Sequence, residues 1–494
     1  MEVSFIGDKF VYDELEHLII FFNTHKRIYI YGAGQFAEYV YYVCAKRGLE
    51  VAGFITTKRD STTCCGLSVY NLEDGFDAKI DGILPGFKHF EKQVIDSSLL
   101  DCDIFNVSSF FFRAVYIRDV FEEYFTTCGE KEEIRWENIL VIRLDAIGDL
   151  VCTTPIFRQI KENYPNAKIT ALIQKSNEAV ISGNPFIDTI IGLDNCEASN
   201  TQSLKNQIED YSNTAKTIVK KNFSNKKFDV VILPTHLLEG RNAFLSIAIA
   251  NFVEKKQVLG WIRKNGEMSR YYPYILKDYI THITIIDEPK HEIDNVLEIL
   301  RPHGLKIADN KAEIYCRREK VNFCLINKDK NLKYVAVGVV GRTTKQNWKI
   351  EKYNELFESC KDRDFVFVLI GGKDAADAAK AIEKRDNVLN YINRLTLKES
   401  ICLIEECDCY LGSNTGLMHI ATALNKPCIT LYASKRWEED GPSRWGARNV
   451  VHIDLFPQDI LPNYENGKVY TQERIKNIDV KAVKEALLDI QKFF

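Results

Sequence analysis

Ile139-Leu140-Val141-Ile142-Arg143-Leu144-Asp145-Ala146-Ile147-Gly148-Asp149-Leu150-Val151-Cys152-Thr153-Thr154-Pro155 is an apolar run that breaks into a short loop carrying two carboxylates. Residues 139–144 read as a buried strand. Gly148, between Asp145 and Asp149, marks the loop. Thr154 followed by Pro155 reads as an N-cap and a first helical residue, opening an amphipathic helix through Tyr164. Strand end, small-residue loop and helix start form the point at which open α/β sheets place their ligands. A carboxylate exposed there serves as a general base, and Asp149 is the candidate. The other reading of Asp149 is a side chain that only caps a local turn.

Outward from this stretch the chain alternates strand and helix. After residues 139–144 and the helix come strands at 168–173, 188–192 and 228–233. A polar segment, 195–225, reads as a solvated helix plus loop, and 246–253 as a short core helix. A further series opens near Lys333, with strands at 334–340, 365–370 and 409–412 and helices at 353–361, 375–384 and 417–424. Such alternation argues for parallel sheets and a Rossmann-like architecture in each unit. Upstream, residues 26–31 form a strand that ends in Gly32-Ala33-Gly34-Gln35-Phe36-Ala37, followed by a helix and a second strand at 50–55. This Gly-x-Gly-x-x-Ala is close to a dinucleotide fingerprint, whose glycines let a pyrophosphate approach a helix N-terminus. The second strand, however, ends in Thr56-Thr57-Lys58-Arg59, where a ribose-binding acid is expected. The glycines then either serve a nucleotide or allow tight helix–sheet packing. The charged run Gly129–Glu133 reads as a linker. The expected units are 1–134, a Rossmann-like N-terminal domain; 135–325; and 326–494.

Size and composition bound the function. A chain of 494 residues is too long for one core. A formal net charge of −4 argues against general nucleic-acid binding. The N-terminus shows no signal-peptide pattern, and no apolar run approaches the roughly 20 residues that span a bilayer. The 14 cysteines lack metal-site spacing, and several, such as Cys152, Cys402 and Cys428, sit in apolar patterns, which suits buried thiols in a reducing cytoplasm. No metal site is expected.

A second long motif follows far downstream: Asp408-Cys-Tyr-Leu-Gly-Ser-Asn-Thr-Gly-Leu-Met-His-Ile-Ala-Thr-Ala-Leu-Asn-Lys-Pro-Cys-Ile-Thr-Leu-Tyr432. Together with the 139–155 stretch it resembles glycosyltransferase family 9, the ADP-heptose:lipopolysaccharide heptosyltransferases. Smaller matches lie between the two in order: His291 with Asn295, the Trp348 region, Ile370-Gly371-Gly372, and Leu395 to Glu399. The resemblance covers roughly residues 136–494. It implies a GT-B type α/β fold, two facing Rossmann-like domains, here preceded by the smaller N-terminal one. Residues 135–325 would form the acceptor side and 326–494 the nucleotide-sugar side.

The resemblance also implies a chemistry. One displacement would invert the anomeric carbon, with Asp149 as base and no metal or other cofactor beyond the nucleotide-sugar donor, an ADP-sugar. Asp145 would orient or stabilise the loop, and Arg143 would pair with a carboxylate or face anionic acceptor groups. Thr415 and Gly416, at a helix start, would contact the diphosphate. Asn414 stands where the family has Asp near the donor sugar, which changes the sugar contact. His419 would either reach the site or face the core. In Arg342-Thr343-Thr344-Lys345-Gln346-Asn347-Trp348 the family lysine position holds Gln346. Lys345 or Arg342 would then bind phosphate, with hydroxyl donors from Thr343 and Thr344, or binding is weaker. Glu399 would bind ribose or close a capping box with Thr396, with the cap favoured. The implied partner is a glycan or lipid-linked acceptor of the lipopolysaccharide type. The implied location is cytoplasmic, with peripheral contact at the inner membrane. Trp261 to Lys264 and Met268 to Tyr272 mix aromatics with cations in a way that suits such an acceptor or a membrane surface. The competing readings are an NAD(P) enzyme centred on Gly32–Ala37 and a non-catalytic nucleotide-sugar-binding protein.

Overall fold

The computed structural model describes residues 7–494 apart from 57–61, 72–80, 87–102, 106, 108, 195–202, 240–241, 265, 316–327, 342–346, 434–440, 458–461, 466–467 and 472–474. Three six-stranded sheets succeed one another along the chain. The first contains β1 (Arg27–Tyr31), β2 (Gly53–Thr56), β3 (Thr63–Cys64), β4 (Leu67–Asn71), β5 (Asp81–Pro85) and β6 (Asp103–Ile104) in the order β3-β4-β2-β1-β5-β6. The second contains β7 (Asn138–Arg143), β8 (Lys168–Gln174), β9 (Thr189–Leu193), β10 (Lys227–His236), β11 (Glu254–Arg263) and β12 (His282–Ile286) in the order β12-β11-β10-β7-β8-β9. The third contains β13 (Lys333–Gly338), β14 (Phe365–Ile370), β15 (Val388–Asn390), β16 (Cys409–Ser413), β17 (Cys428–Leu431) and β18 (His452–Leu455) in the order β15-β14-β13-β16-β17-β18. All pairings in the second and third sheets are parallel. In both, the first strand of the series is central and the order reverses beside it. That reversal is the topological switch point at which α/β proteins bind ligands.

The strands are buried on both faces, so they read as continuous apolar runs rather than alternating ones. The alternation reappears in the packing. Leu140 and Ile142 of β7, with Val231 and Leu233 of β10, join the core shared with the first unit. Ile139 and Val141, with Val230 and Ile232, face the core shared with the third sheet. The second sheet is thus the middle layer, welded on one side to each neighbour. Helix Ser109–Tyr124 docks the first unit: Phe121 meets Phe244 and Tyr279 edge-on at 6.0 and 5.2 Å, and Arg118 pairs with Asp278. Asn251 holds the backbone of Thr126 through both N–H and C=O, at 3.1 and 2.7 Å. The segment 129–133 has no regular structure, yet Glu130 C=O accepts from the Gln257 side chain, so it is tied to the second sheet.

Three local expectations need correction. The helix after β7 starts at Ile147, not at Pro155, and runs to Asn163 with the proline inside it. An interior proline removes one N–H and orphans the carbonyl four residues earlier. Here that carbonyl is Val151 C=O, and the Thr154 hydroxyl donates to it at 2.8 Å. Thr154 therefore repairs the helix rather than starting it. The Thr154 hydroxyl oxygen in turn accepts from Glu313 N–H at 3.0 Å. Thr154→Val is expected to leave both groups unpaired in a site that is 2% exposed. At about 1–3 kcal/mol for each buried orphan, the loss should reach about 2 kcal/mol or more. Urea unfolding checks it, and a change under about 0.5 kcal/mol would remove the repair role.

Second, Trp261, Tyr271 and Tyr272 are buried, so the 261–272 stretch offers no aromatic face to an acceptor or a membrane. The indole N–H of Trp261 donates to Pro234 C=O at 2.7 Å, Tyr272 OH donates to Glu239, and Arg263 pairs with Glu239. Of the cations in the motif, Arg263 and Lys264 are engaged by carboxylates of the chain, Glu239 and Asp287. Third, helix Leu204–Asn222 is not solvated all round: Leu204, Ile208, Tyr211 and Ala215 are buried in the first core. Its polar composition describes only its outer face. Helix Ala243–Phe252 is a core helix as expected, and Trp348 is buried with its N–H on Ile478 C=O.

Candidate active site

The C-terminal end of β7 delivers the chain into the loop Leu144–Ala146. Carbonyls leaving a sheet edge need partners, and side-chain amides supply them. Gln174 and Asn242 donate to Leu144 C=O, and Asn177 donates to Asp145 C=O at 3.0 Å. This fixes the loop and starts helix Ile147–Asn163 with Asp149 in its first turn, where a carboxylate suits the helix dipole.

Arg143, 2% exposed, lies at the centre of the cluster. Its Nε is 3.1 Å from Asp145 Oδ2, and its NH2 nitrogen is 2.8 Å from Asp149 Oδ1 and 3.4 Å from Glu292 Oε1. Arg444 approaches the other oxygen of Glu292 at 3.2 Å. Three carboxylates thus share two guanidiniums, and the Arg143 guanidinium stays fully charged because its neighbours raise its proton affinity against burial. Burial pushes the Asp145 carboxyl above the usual carboxylate range, against the pull of Arg143. Asp149 is the most accessible of the three carboxylates: its side chain is 23% exposed, against 8% for Asp145 and 2% for Glu292. A base must reach a substrate proton, and Asp149 alone of this group keeps an open side.

Across from it stands helix Gly416–Ala423, entered from β16. Tyr410 OH folds back toward the strand end and donates to Ser413 C=O at 3.2 Å. A Cβ at Gly338 or Gly412 would lie 2.5 or 2.6 Å from that hydroxyl, so glycine is needed at both positions. Thr415 takes the N-cap position without a side-chain cap hydrogen bond. The Thr415 side chain thus leaves the first-turn N–H groups of this helix to other partners, and helix starts after a strand end bind phosphate.

The two helix starts touch. A Cβ on Gly148 would stand 2.7 Å from His419 Cδ2, and one on Gly416 would stand 2.9 Å from Ile147 Cβ. His419 Nδ1 lies 3.7 Å from Cys152 Sγ. Burial lowers the His419 pKa to about 4, with His291 adding to the effect, so the ring is neutral and supplies shape rather than charge. Gly148→Ala is expected to wedge the helices apart. Overpacking costs about 1–3 kcal/mol, against which the helical gain of alanine over glycine is about 0.5–1. The net result should be a lower unfolding temperature and a raised donor KM. An unchanged KM would mean that the contact is not part of the donor site.

More contacts cross between the units near this point. His291 caps helix Glu292–Glu298 by accepting from Ile293 N–H, which leaves its Nε2–H to donate to Gly446 C=O at 3.0 Å. Arg448 pairs with Asp294. Asp149, Asn414, Thr415, Gly416 and His419 therefore come from two distant motifs to one cleft, with His291 beside them. Glu399 closes a capping box, accepting from Thr396 N–H at 2.7 Å, and that hydrogen bond lowers its pKa. Arg342, Thr343, Thr344, Lys345 and Gln346 lie outside the described residues, as do Lys58 and Arg59. Sequence reasoning missed Glu292 and Arg444. A glutamate at a helix start is ordinary dipole chemistry, and nothing local signals a partner 152 residues away.

Among the described residues no group of three or more His, Cys, Asp or Glu is arranged to hold a metal ion, and no helix is long and apolar enough to cross a membrane. In the first unit, Gly32 adopts φ +114° and Gly34 caps helix Gln35–Lys46, so the fingerprint makes the expected strand–turn–helix.

The glycosyltransferase family 9 (heptosyltransferase) model matches residues 217–457. Lipopolysaccharide heptosyltransferase 3 of Escherichia coli K12 is 23% identical over 344 residues, 64% of this chain and 93% of its own length. A family 9 glycosyltransferase from Veillonella parvula superposes with a TM-score of 0.54 at 17% identity, over 73% of this chain and 99% of that one. Escherichia coli heptosyltransferase WaaC with ADP-2-deoxy-2-fluoro heptose superposes with a TM-score of 0.52 at 14% identity, over 71% and 99%. The two facing α/β units are the GT-B arrangement of these structures, and the first unit is an addition to it.

Proposed function

We propose that this chain, a glycosyltransferase family 9 heptosyltransferase-like protein, moves heptose from ADP-heptose to an acceptor of the lipopolysaccharide type. The observation that carries the reading is the placement of Asp149. It sits at the switch point of one sheet, held by Arg143, directly across from the helix start after β16. The acceptor hydroxyl gives its proton to Asp149 as its oxygen attacks the anomeric carbon. The bond to the ADP oxygen breaks on the opposite side, so a single displacement inverts the centre. The departing diphosphate lies against the N–H groups from Gly416 onward, with Arg342 or Lys345 as the cation and Thr343, Thr344 and Thr415 as hydroxyl donors. Asn414 meets the sugar with an amide that both donates and accepts. The cation at the centre of the carboxylates is a guanidinium, and we assign the reaction no metal ion. The transferase works in the cytoplasm, against the face of the membrane that carries the lipid-linked acceptor.

The test is transfer from ADP-heptose to a lipopolysaccharide core lacking its outer heptose, with ADP-glucose and UDP-glucose as alternative donors. The anomeric configuration of the product is read by NMR. Transfer from ADP-heptose with inversion is expected. Retention would remove the single displacement, turnover only with UDP-glucose would change the donor, and binding of ADP-heptose without turnover would make the chain a binding protein.

A further inference from the structure

Glu292 is 1% exposed, and its two carboxylate oxygens serve opposite sides of the cleft. Oε1 lies 3.4 Å from the NH2 nitrogen of Arg143, the same nitrogen that donates to Asp149 at 2.8 Å. Oε2 accepts from Nε and NH2 of Arg444, both at 3.2 Å. Arg143 ends β7 of the second sheet, whereas Arg444 sits on the short helix Pro442–Trp445 that follows the strand β17 of the third. Arg444 is itself braced, with its guanidinium 4.7 Å above the Trp445 ring, and Gly446 next to it receives the His291 hydrogen bond. A line of alternating charge, Arg444–Glu292–Arg143–Asp149, therefore runs from one unit to the other and ends on the carboxylate that faces the cleft.

We propose that Glu292 is a positioning residue through which the seating of Arg444 sets the proton affinity of Asp149. The proposal rests on the reading of Asp149 as the base. With Arg444 in place, the charge of Glu292 is divided between two guanidiniums, and Arg143 is left to hold Asp149. Without Arg444, the whole charge of Glu292 falls on Arg143, and its hold on Asp149 weakens. Among the described residues, these charged or titratable groups face Asp149. Arg143 and Asp145 come from β7 and its loop, Glu292 from its helix, Cys152 from one turn on, and His419 from across the cleft. The histidine is neutral and the thiol is held protonated by burial, so among the described residues the charged groups around Asp149 are Arg143, Asp145, Glu292 and, through Glu292, Arg444. The grip of Arg143 on the base thereby depends on the seating of the donor-side unit, which ties proton removal to the assembled cleft.

The two ends of the line predict opposite signs. Arg444→Gln removes a cation, so the acid limb of the kcat/KM profile for ADP-heptose should move up by about 0.5–1 pH unit. Glu292→Gln removes the competing anion, so Arg143 binds Asp149 harder and the limb should move down by a similar amount, with a lower plateau because the base is weaker. In the double variant the Arg444 effect should vanish. Arg444→Lys restores the charge and should return the limb toward its original position, which keeps the test open if Glu292→Gln does not fold. A limb that stays in place in both single variants while their unfolding temperatures fall makes the line structural only and overturns the proposal. An Arg444→Gln shift that persists undiminished without Glu292 also overturns it, because Arg444 then acts on Asp149 directly. Asp149→Asn is the control: if that variant still transfers sugar, the base reading itself has failed.

Discussion

Asp149→Asn is expected to lower kcat by about 10³-fold, within the 10²–10⁴ range of general base catalysis, with the unfolding temperature and the affinity for ADP nearly unchanged. The asparagine oxygen still accepts from the Arg143 guanidinium that holds Asp149 at 2.8 Å, so the loop keeps its anchor. What is lost is the ability to take a proton. In the proposed function, donor binding draws on the helix start at Gly416, on the other unit. The predicted signature is therefore a fall in kcat at saturating ADP-heptose without a matching rise in KM. Steady-state kinetics beside a thermal unfolding curve make the measurement. Transfer within tenfold of the unaltered protein would return Asp149 to the role of a turn cap.

Arg143→Met should produce the largest loss of stability of any single change discussed. The guanidinium is 2% exposed and touches Asp145, Asp149 and Glu292. Methionine fills much of the volume but leaves buried carboxylates without their common cation, and Arg444 compensates only one of them. Removing one partner of a buried ion pair costs about 3–5 kcal/mol. The pH dependence gives the sign. Burial already holds the Asp145 carboxyl above its ordinary value, and loss of the Arg143 cation raises it further. A carboxyl whose pKa is higher in the folded state than in the unfolded one binds protons preferentially when folded. Its destabilising effect is complete above the folded pKa and is relieved as pH falls through it. Urea unfolding should thus show a smaller deficit for the variant at pH 5 than at pH 7.5. A deficit below about 1 kcal/mol, or one that grows on acidification, would show that the carboxylates do not depend on Arg143.

The strand sequences carried nearly all of the architecture. Runs such as Phe365–Ile370 are apolar at every position because parallel strands are buried on both faces, and that pattern is local. The Gly148-Asp149 pair and the Asn414-Thr415-Gly416 turn were legible for the same reason: each is a strand-to-helix transition written in consecutive residues. The helix start was misread because Thr-Pro is the usual local signal for one. A hydroxyl that replaces the missing hydrogen bond is visible only once the carbonyl of Val151 has been placed. The aromatics of the 261–272 stretch were assigned to a surface because composition does not say which side of an element faces a core.

By itself, then, the sequence determined the three α/β series and the two loops at the strand ends from short-range patterns of polarity and chain stiffness, and its resemblance to family 9 singled out Asp149 as the candidate base. Tertiary structure alone decided that the first unit is fused to the back of the second, that His419 is neutral against Gly148, and that Arg143, Glu292 and Arg444 form one charged line. Those outcomes depend on burial and on charges brought together from positions 143, 292 and 444. Neither the desolvation of a side chain nor the field of a distant partner leaves a trace in the residues beside it.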